Sequence, residues 1–334
     1  MTARIAVIGA GMAARSHALD IVTDPTMEFA GVAATSISSS RAFTDMFGGT
    51  AYPDIDAILD DARVDAVVVA VPPSAVLAIT ERFHSKPCLI EKPIVTTVRE
   101  RHRLAELTKG LSHLIAPFNR RYQPHIREAA TVIRNGAIGN ILSATANWRG
   151  PYSSRFAADS GTYRASTGPR HGVLIDTGSH ALDLISMLVG YVHPIQVSSV
   201  FTCNDRGTDV AAELEIDAGI PIHLTLGDAP DSPECGAWTL ALTGEVGSLT
   251  LDSDGYWIHT AGTEPPRARH AEPMHRPATD LTRILDGVAP LGTPMNEVLT
   301  VSDVIIAAHD HSQRNRTGWT RPRGKALGRL NGAC

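Results

Sequence analysis

The chain's fold turns on the stretch Arg4-Ile5-Ala6-Val7-Ile8-Gly9-Ala10-Gly11-Met12-Ala13-Ala14. Arg4–Gly9 reads as an apolar strand, and Ala13–Val22 can follow as a helix. Between them stands Gly-x-Gly-x-x-Ala. Gly9 can make the tight turn, Gly11 has no side chain to block a pyrophosphate, and Ala14 is small enough for close helix–strand packing. The helix N-terminus then offers free N–H groups and a positive dipole end to phosphates. Any glycine-rich turn could show this pattern alone. The strand and helix around it favour dinucleotide binding.

Working outward, Glu28–Thr35 reads as a second strand. Val64–Val71 is nearly all apolar and β-branched, as a central strand covered on both faces requires. Pro72-Pro73 ends it. Cys88–Glu91 is a further strand, 98–109 a helix, and His113–Phe118 a sixth strand. This rhythm implies a parallel, doubly wound sheet. After Asn119 the pattern changes. A helix over Gln123–Arg134 leads to strands at Ile141–Trp148, Ile195–Thr202, Val210–Asp217, Ile222–Leu226, Trp238–Thr243 and Ser248–Leu251. Thr279–Leu285 and Asn296–Ala308 are the last expected helices. The fold class expected is α/β: an N-terminal Rossmann domain, then an α/β domain with an open, mainly antiparallel sheet. The boundaries expected are 1–120, 121–320, and a basic, glycine-rich mobile tail at 321–334.

Composition agrees. The 334 residues suffice for two domains. A net charge of −5 gives no basic field for nucleic acid. No stretch reaches the roughly 18 apolar residues of a membrane span. Cys88, Cys203, Cys235 and Cys334 form no CxxC pair, so neither a disulfide framework nor a structural zinc site is expected, and a reducing cytoplasm is the simpler setting. His309 and His311, and His270 and His275, do not converge as metal ligands. The second strand ends in Thr35-Ser36, with no acidic residue for a ribose 2′-hydroxyl and no Arg directly after it for a 2′-phosphate. NAD is expected, with NADP left open.

Two more segments carry chemistry. In Glu91-Lys92-Pro93, a lysine stands where a nucleotide-domain strand ends, the usual place for ligand contacts. In Asp176-x-Gly178-x-His180-x-x-Asp183, Asp176 and His180 are four apart, so on a helix they share one face. An imidazole suits proton exchange near neutral pH, and a cation can stabilise charge on a substrate oxygen. A lone Lys is usually a solvated charge, and an Asp–His pair on a helix is often a surface pair. The combination is what gives the set weight. Asp183 could orient His180 or face the core.

With these motifs, Phe118-Asn119-Arg120-Arg121-Tyr122 and Leu242-Thr243-Gly244-Glu245-Val246-Gly247-Ser248-Leu249, the chain resembles the Gfo/Idh/MocA family over nearly its whole length. That is the glucose-fructose oxidoreductase and inositol dehydrogenase group. The resemblance implies a nicotinamide-dependent enzyme in which Lys92, Asp176 and His180 are catalytic, with Lys and His flanking the reacting carbon and Asp holding a substrate hydroxyl. It implies a cofactor site of Gly9, Gly11, Met12, Ala13, Thr35, Ser36, Val71, Pro72, Glu91, Lys92, Asn119 and Arg120. Substrate contacts would come from Lys92, Arg164, His171, Asp176 and His180. Arg170-His171-Gly172 departs from the family's three glycines and changes the lip of the substrate site.

The function expected is NAD-linked oxidation of a secondary hydroxyl of a sugar to a ketone, with an amino-sugar of an aminoglycoside antibiotic pathway as the candidate substrate. Acidic Asp228, Asp231 and Glu234 would attract a polycation, whereas Arg149, Arg164 and Arg170 favour an anionic partner such as a nucleotide-linked sugar. The alternatives are NADP-linked reduction of a keto-sugar, an NAD-assisted glycosidase, and a non-enzymatic nucleotide-sensing regulator. A half-covered sheet with an apolar outer face would make a homodimer or homotetramer.

Overall fold

The computed structural model describes residues 2–157, 164, 171–190, 192–232, 236–260, 267–269 and 274–317. Two compact units are present: Met1–Pro124 with Glu272–Leu299, and His125–Ala271 with Thr300–Cys334.

The first unit holds strands β1 (Ala3–Ile8), β2 (Met27–Ala33), β3 (Thr50–Ala51), β4 (Ala66–Val69), β5 (Cys88–Ile90) and β6 (Leu114–Ala116). They run parallel in the order β6-β5-β4-β1-β2-β3. The chain order reverses between β1 and β4, the switch point where such sheets take ligands. Val67, Val69, Cys88 and Ile90 pack into one apolar cluster, and Ala66, Val68 and Leu89 into another. Alternate residues thus feed the two faces, which is why these strands read as unbroken apolar runs. The connecting helices are α1 (Met12–Val22), α2 (Ile37–Phe47), α3 (Ile55–Asp60), α4 (Pro73–Phe83) and α5 (Val98–Thr108). A capping box of Thr97 and Glu100 starts α5. The Pro72-Pro73 pair that ends β4 also opens α4, with proline at a first-turn position where its missing N–H costs nothing.

A segment from far along the chain completes this unit. Thr293-Pro294 pairs antiparallel with β6. Asp280, fully buried, accepts from Tyr122 Oη at 2.8 Å and from the amides of Leu291 and Gly292, both at 2.7 Å. Arg121 pairs with Glu297, both largely buried. The Arg121-Tyr122 end of the Phe118–Tyr122 motif is therefore structural, holding residues 274–299 against the nucleotide unit.

The second unit is an eight-stranded sheet: β7 (Ile141–Gly150), β8 (Gln196–Cys203), β9 (Asp209–Asp217), β10 (Pro221–Asp228), β11 (Ala237–Gly244), β12 (Gly247–Asp252), β13 (Gly255–Thr260) and β14 (Arg267–Arg269). The order is β14-β13-β12-β11-β7-β10-β9-β8, antiparallel throughout except that β7 and β10 run parallel. Its covered face contributes Ala146, Trp148, Leu214, Leu224, Leu240 and Leu242 to one core with α6 (Pro124–Arg134) and α8 (Ser179–Val189), the short α7 (Tyr152–Arg155) falling between them in sequence. Trp148 and Trp238 stack there at 5.1 Å between centroids.

Two expectations need correction. The other face of this sheet exposes Thr145, Asn147, Thr239, Ala241, Thr243, Glu213 and Glu215, with Val200 and the half-buried Trp257 as apolar exceptions. It is not the apolar face from which an oligomer was argued, because the alternation that buries leucines inside places small polar residues outside. Cys203 is disulfide-bonded, against the expectation from spacing alone. Cys88 is free and buried, and Cys235, Cys334, His270 and the tail lie outside the described residues. His309 stacks on Phe201, and His311 Nδ1 accepts from the Ser199 amide. Both pack on β8, and among the described residues no cluster could hold a metal. No helix among them is long and apolar enough to cross a membrane.

Tyr122→Phe should lower unfolding free energy by about 1–3 kcal/mol, because it leaves a buried acceptor short of one donor. Urea titration checks this. An unchanged midpoint would mean the two amides satisfy Asp280 alone.

Candidate active site

All the cofactor residues expected from sequence follow the C-terminal ends of the first unit's parallel strands. Gly9 to Ala13 follow β1, Thr35 and Ser36 follow β2, Val71 and Pro72 follow β4, Glu91 and Lys92 follow β5, and Asn119 and Arg120 follow β6. The two motif glycines differ in kind. Gly9 has φ +108°, and a Cβ there would lie 2.1 Å from the Ala70 carbonyl oxygen. Gly11 has an ordinary φ of −76°, and a Cβ there would meet nothing within 4 Å. No neighbouring protein atom requires a glycine at 11, so its absent side chain leaves room for a ligand. Gly11 is the N-cap of α1, whose first turn has no side-chain cap and no acidic residue. That leaves a helix N-terminus open to phosphates.

Two further observations fit a dinucleotide. Asn119 Oδ1 is buried without a partner, an acceptor of the kind a carboxamide donor would satisfy. At the ribose end, Ser36 Oγ caps α2, accepting from the Ser39 amide at 3.2 Å, with the Ser38 and Ser39 hydroxyls both 2.9 Å away. Glu91 is engaged by the protein itself: Oε1 lies 2.8 Å from His17 Nε2, and Oε2 accepts from the Lys92 amide at 3.2 Å. The Lys92-Pro93 peptide is cis. His17 was not singled out in the sequence. Its only signal was a polar residue on the buried stripe Ala14, His17, Ala18, Ile21.

In the second unit, Asp176 and His180 lie on one helical run whose segment Leu174–Gly178 is a π-helical turn and whose remainder is α8. Such turns concentrate at functional sites. Every residue from 172 to 179 is buried, and His180 is the first to emerge. Asp176, 4% exposed, is held by two guanidiniums: Arg164 at 3.0 and 3.2 Å to Oδ1, and Arg155 at 3.6 Å to Oδ2. Arg155 also donates to Thr177 Oγ1 at 3.2 Å and stacks over the Tyr152 ring. Arg164 was anticipated and Arg155 was not. Burial pushes the Tyr152 phenol up to about 12. His171 is half-buried on the lip, Asp183 is fully buried, and Arg170 lies outside the described residues.

The run is anchored by a residue the sequence reading passed over. Asp209, at the start of β9, accepts from the Leu174 amide at 3.1 Å, and a Cβ on Gly172 would strike its Oδ1 at 2.3 Å. A buried carboxylate from another strand thus supplies the cap that Gly172 has no side chain to give. Burial raises its pKa to about 6, against the lowering effect of backbone N–H donors.

The comparisons with known proteins agree. Residues 3–117 match the family model described as "Oxidoreductase family, NAD-binding Rossmann fold", and 126–250 match the "GFO/IDH/MocA C-terminal domain". A dTDP-3,4-didehydro-2,6-dideoxy-alpha-D-glucose 3-reductase of Streptomyces violaceoruber is 30% identical over 257 residues, 75% of this chain and 72% of the reductase. Glucose-6-phosphate 3-dehydrogenase of Bacillus subtilis is 28% identical over 190 residues, 54% of this chain and just over half (52%) of the dehydrogenase. Among solved structures, GenD2 from gentamicin A biosynthesis in complex with NAD shares the fold, with TM-score 0.73 and 21% identity over 94% of this chain and 95% of that one. The chain belongs to the Gfo/Idh/MocA oxidoreductase family. It is an NAD(P)-dependent oxidoreductase with an NAD-binding Rossmann domain.

Two predictions follow from this geometry. Gly11→Ala should fold with wild-type stability yet lose dinucleotide affinity, while Gly9→Ala should be destabilised. Calorimetric binding and thermal unfolding separate the two, and normal NAD and NADP affinity in Gly11→Ala would contradict the cradle. For Asp209, the folded pKa lies above the unfolded value of 3.8, so the folded state holds its proton more tightly. This carboxyl's contribution to stability is therefore lost as pH rises from about 4 through 6. Between pH 4 and pH 7, wild-type stability relative to Asp209→Asn should fall by about 2 kcal/mol. Denaturant titrations at the two pH values test this, and a pH-independent difference would refute it.

Proposed function

We propose that the protein interconverts a secondary hydroxyl and a ketone on a sugar that carries an anionic group. The observation that carries the second half is the pairing of Asp176 with both Arg155 and Arg164. Two guanidiniums therefore stand beside a residue the family uses for substrate, the kind of group that pairs with an anion. The acidic loop gives a polycationic aminoglycoside no matching support. Asp228 accepts from the Ser153 amide at 2.9 Å and from its hydroxyl, so it serves as a local cap. Asp231 is exposed, and Glu234 lies outside the described residues. The relatives named for a dTDP-sugar and a sugar phosphate handle substrates of the anionic kind.

Gly9, Gly11, Met12 and Ala13 would hold the pyrophosphate, Thr35 and Ser36 the ribose, and Asn119 the carboxamide; a bound dinucleotide would accept or supply the hydride. The Lys92 ammonium stabilises negative charge on the reacting oxygen. His180 takes that oxygen's proton on oxidation and returns it on reduction. Asp176 accepts from a neighbouring hydroxyl and fixes which carbon reacts.

His180→Ala should lower turnover by about 10²–10⁴-fold with dinucleotide affinity nearly unchanged. Lys92→Ala should cost about 3 kcal/mol of transition-state stabilisation, read in turnover, and Lys92→Arg should also be poor because a planar fork replaces a compact ammonium. The substrate half is tested by following reduced-nicotinamide absorbance with a sugar phosphate, a nucleotide-diphosphate sugar, inositol and an aminoglycoside, with NAD and NADP in turn. Turnover with anionic sugars that weakens as salt rises is expected. Turnover confined to the neutral or polycationic members would overturn it.

A further inference from the structure

Three polar groups behind the nucleotide turn form a chain whose purpose neither cofactor binding nor folding explains. His17 lies on the buried side of α1, 4% exposed, where neighbouring positions are Ala14, Ala18 and Ile21. Its Nε2 stands 2.8 Å from Glu91 Oε1. A carboxylate only accepts, so Nε2–H is the donor. The other ring nitrogen, Nδ1, is buried without a partner. A helix that needed only packing would carry an apolar side chain here, without that cost.

Glu91 is tied at three points. Its amide donates to the Val69 carbonyl at 2.9 Å, continuing the β4–β5 pairing by one residue. One carboxylate oxygen accepts from His17 Nε2–H and the other from the Lys92 amide at 3.2 Å. The carboxylate thus bridges α1, whose first turn is the phosphate cradle, and the backbone of the residue assigned to the reacting oxygen. A Glu91 side chain without His17 would keep its sheet anchor but could swing toward solvent, since it is only partly buried.

We infer that His17 is a positioning residue: through Glu91 it fixes the backbone of Lys92 relative to the helix that carries the dinucleotide phosphates. The inference rests on the role given to Lys92 above. It requires the hydrogen bond, not the ring's volume or charge. His17→Gln can place an amide N–H where Nε2 stands. His17→Asn reaches only as far as Nδ1, and His17→Leu keeps bulk without a donor.

The test measures kcat, sugar KM and dinucleotide dissociation constants for these variants and for Lys92→Ala. His17→Leu and His17→Asn should lose about tenfold to hundredfold in kcat, the scale of a misplaced catalytic group. Sugar KM and dinucleotide affinity should stay within about threefold of wild type, and His17→Gln should stay within about threefold in kcat. If His17→Leu does not fold, the contrast between Asn and Gln decides. Equal kcat for Asn and Gln overturns the inference, as does a loss confined to dinucleotide affinity. Impaired Lys92→Ala beside normal His17→Leu or Asn removes the inference alone. Normal turnover in Lys92→Ala removes the role of Lys92, and the inference with it.

Discussion

No side chain can stand at residue 9. The turn from β1 into α1 brings its backbone so close to Ala70 that a Cβ would lie 2.1 Å from a carbonyl oxygen. β1 and β4 are neighbours at the switch point, so this contact joins the strand that leads into the cofactor helix to the strand that ends at Val71-Pro72. The direction of α1 follows from it, and with that the place where helix N–H groups point. Gly11, two residues on, answers to a different constraint, because no atom among the described residues is near enough to object to a side chain there. One glycine serves the fold and the other serves a ligand. The motif assigns the two glycines these separate roles, and the surroundings of each bear the assignment out.

Buried carboxylates organise much of the rest, and each is accommodated differently. Asp280 is satisfied by two amides and a phenol, and it anchors a distant chain segment to the nucleotide unit. Asp209 is given backbone amides but no cation, so burial dominates and its pKa rises. An asparagine could accept the same Leu174 hydrogen bond without burying a charge. Asp176 is given two arginines. A carboxylate so held keeps its orientation.

β1, β2 and the strands from β4 to β12 were legible, as were α1, α5 and α6, because periodicity reports burial directly; α3 and α4 were not picked out. The run Val64–Val71 reads as a central strand, and β4 occupies Ala66–Val69 within it; the sheet of the second unit follows from alternations such as Ala-Glu-Leu-Glu-Ile. Less legible was what depends on partners distant in sequence. β13 has Tyr256, Trp257 and Ile258 in a row, which shows no alternation, and it is held by pairing with β12. Thr293-Pro294 is too short to show any period. Lys92, Asp176 and His180 stood out as motif residues. His17, Arg155 and Asp209 did not, since each acts through a neighbour that spacing does not reveal. The apolar outer face was a wrong inference of another kind: alternation established two faces, but the exposed one is threonine, alanine and glutamate by identity.

The spacing Asp-x-Gly-x-His has a mechanical explanation in this fold. A Cβ on Gly178 would lie 2.7 Å from Leu174 Cδ1 and 2.9 Å from Leu226 Cδ1. Leu226 belongs to β10, so Gly178 marks where the helical run presses on the sheet. Residues two positions away on a helix are rotated by roughly 200°. Asp176 and His180, two before and two after Gly178, are therefore both turned away from the sheet and toward each other's side. The glycine need not touch a substrate to be part of the motif. It sets the depth of the helix, and that depth buries Asp176 among its arginines while His180 is the first residue of the run to reach the surface.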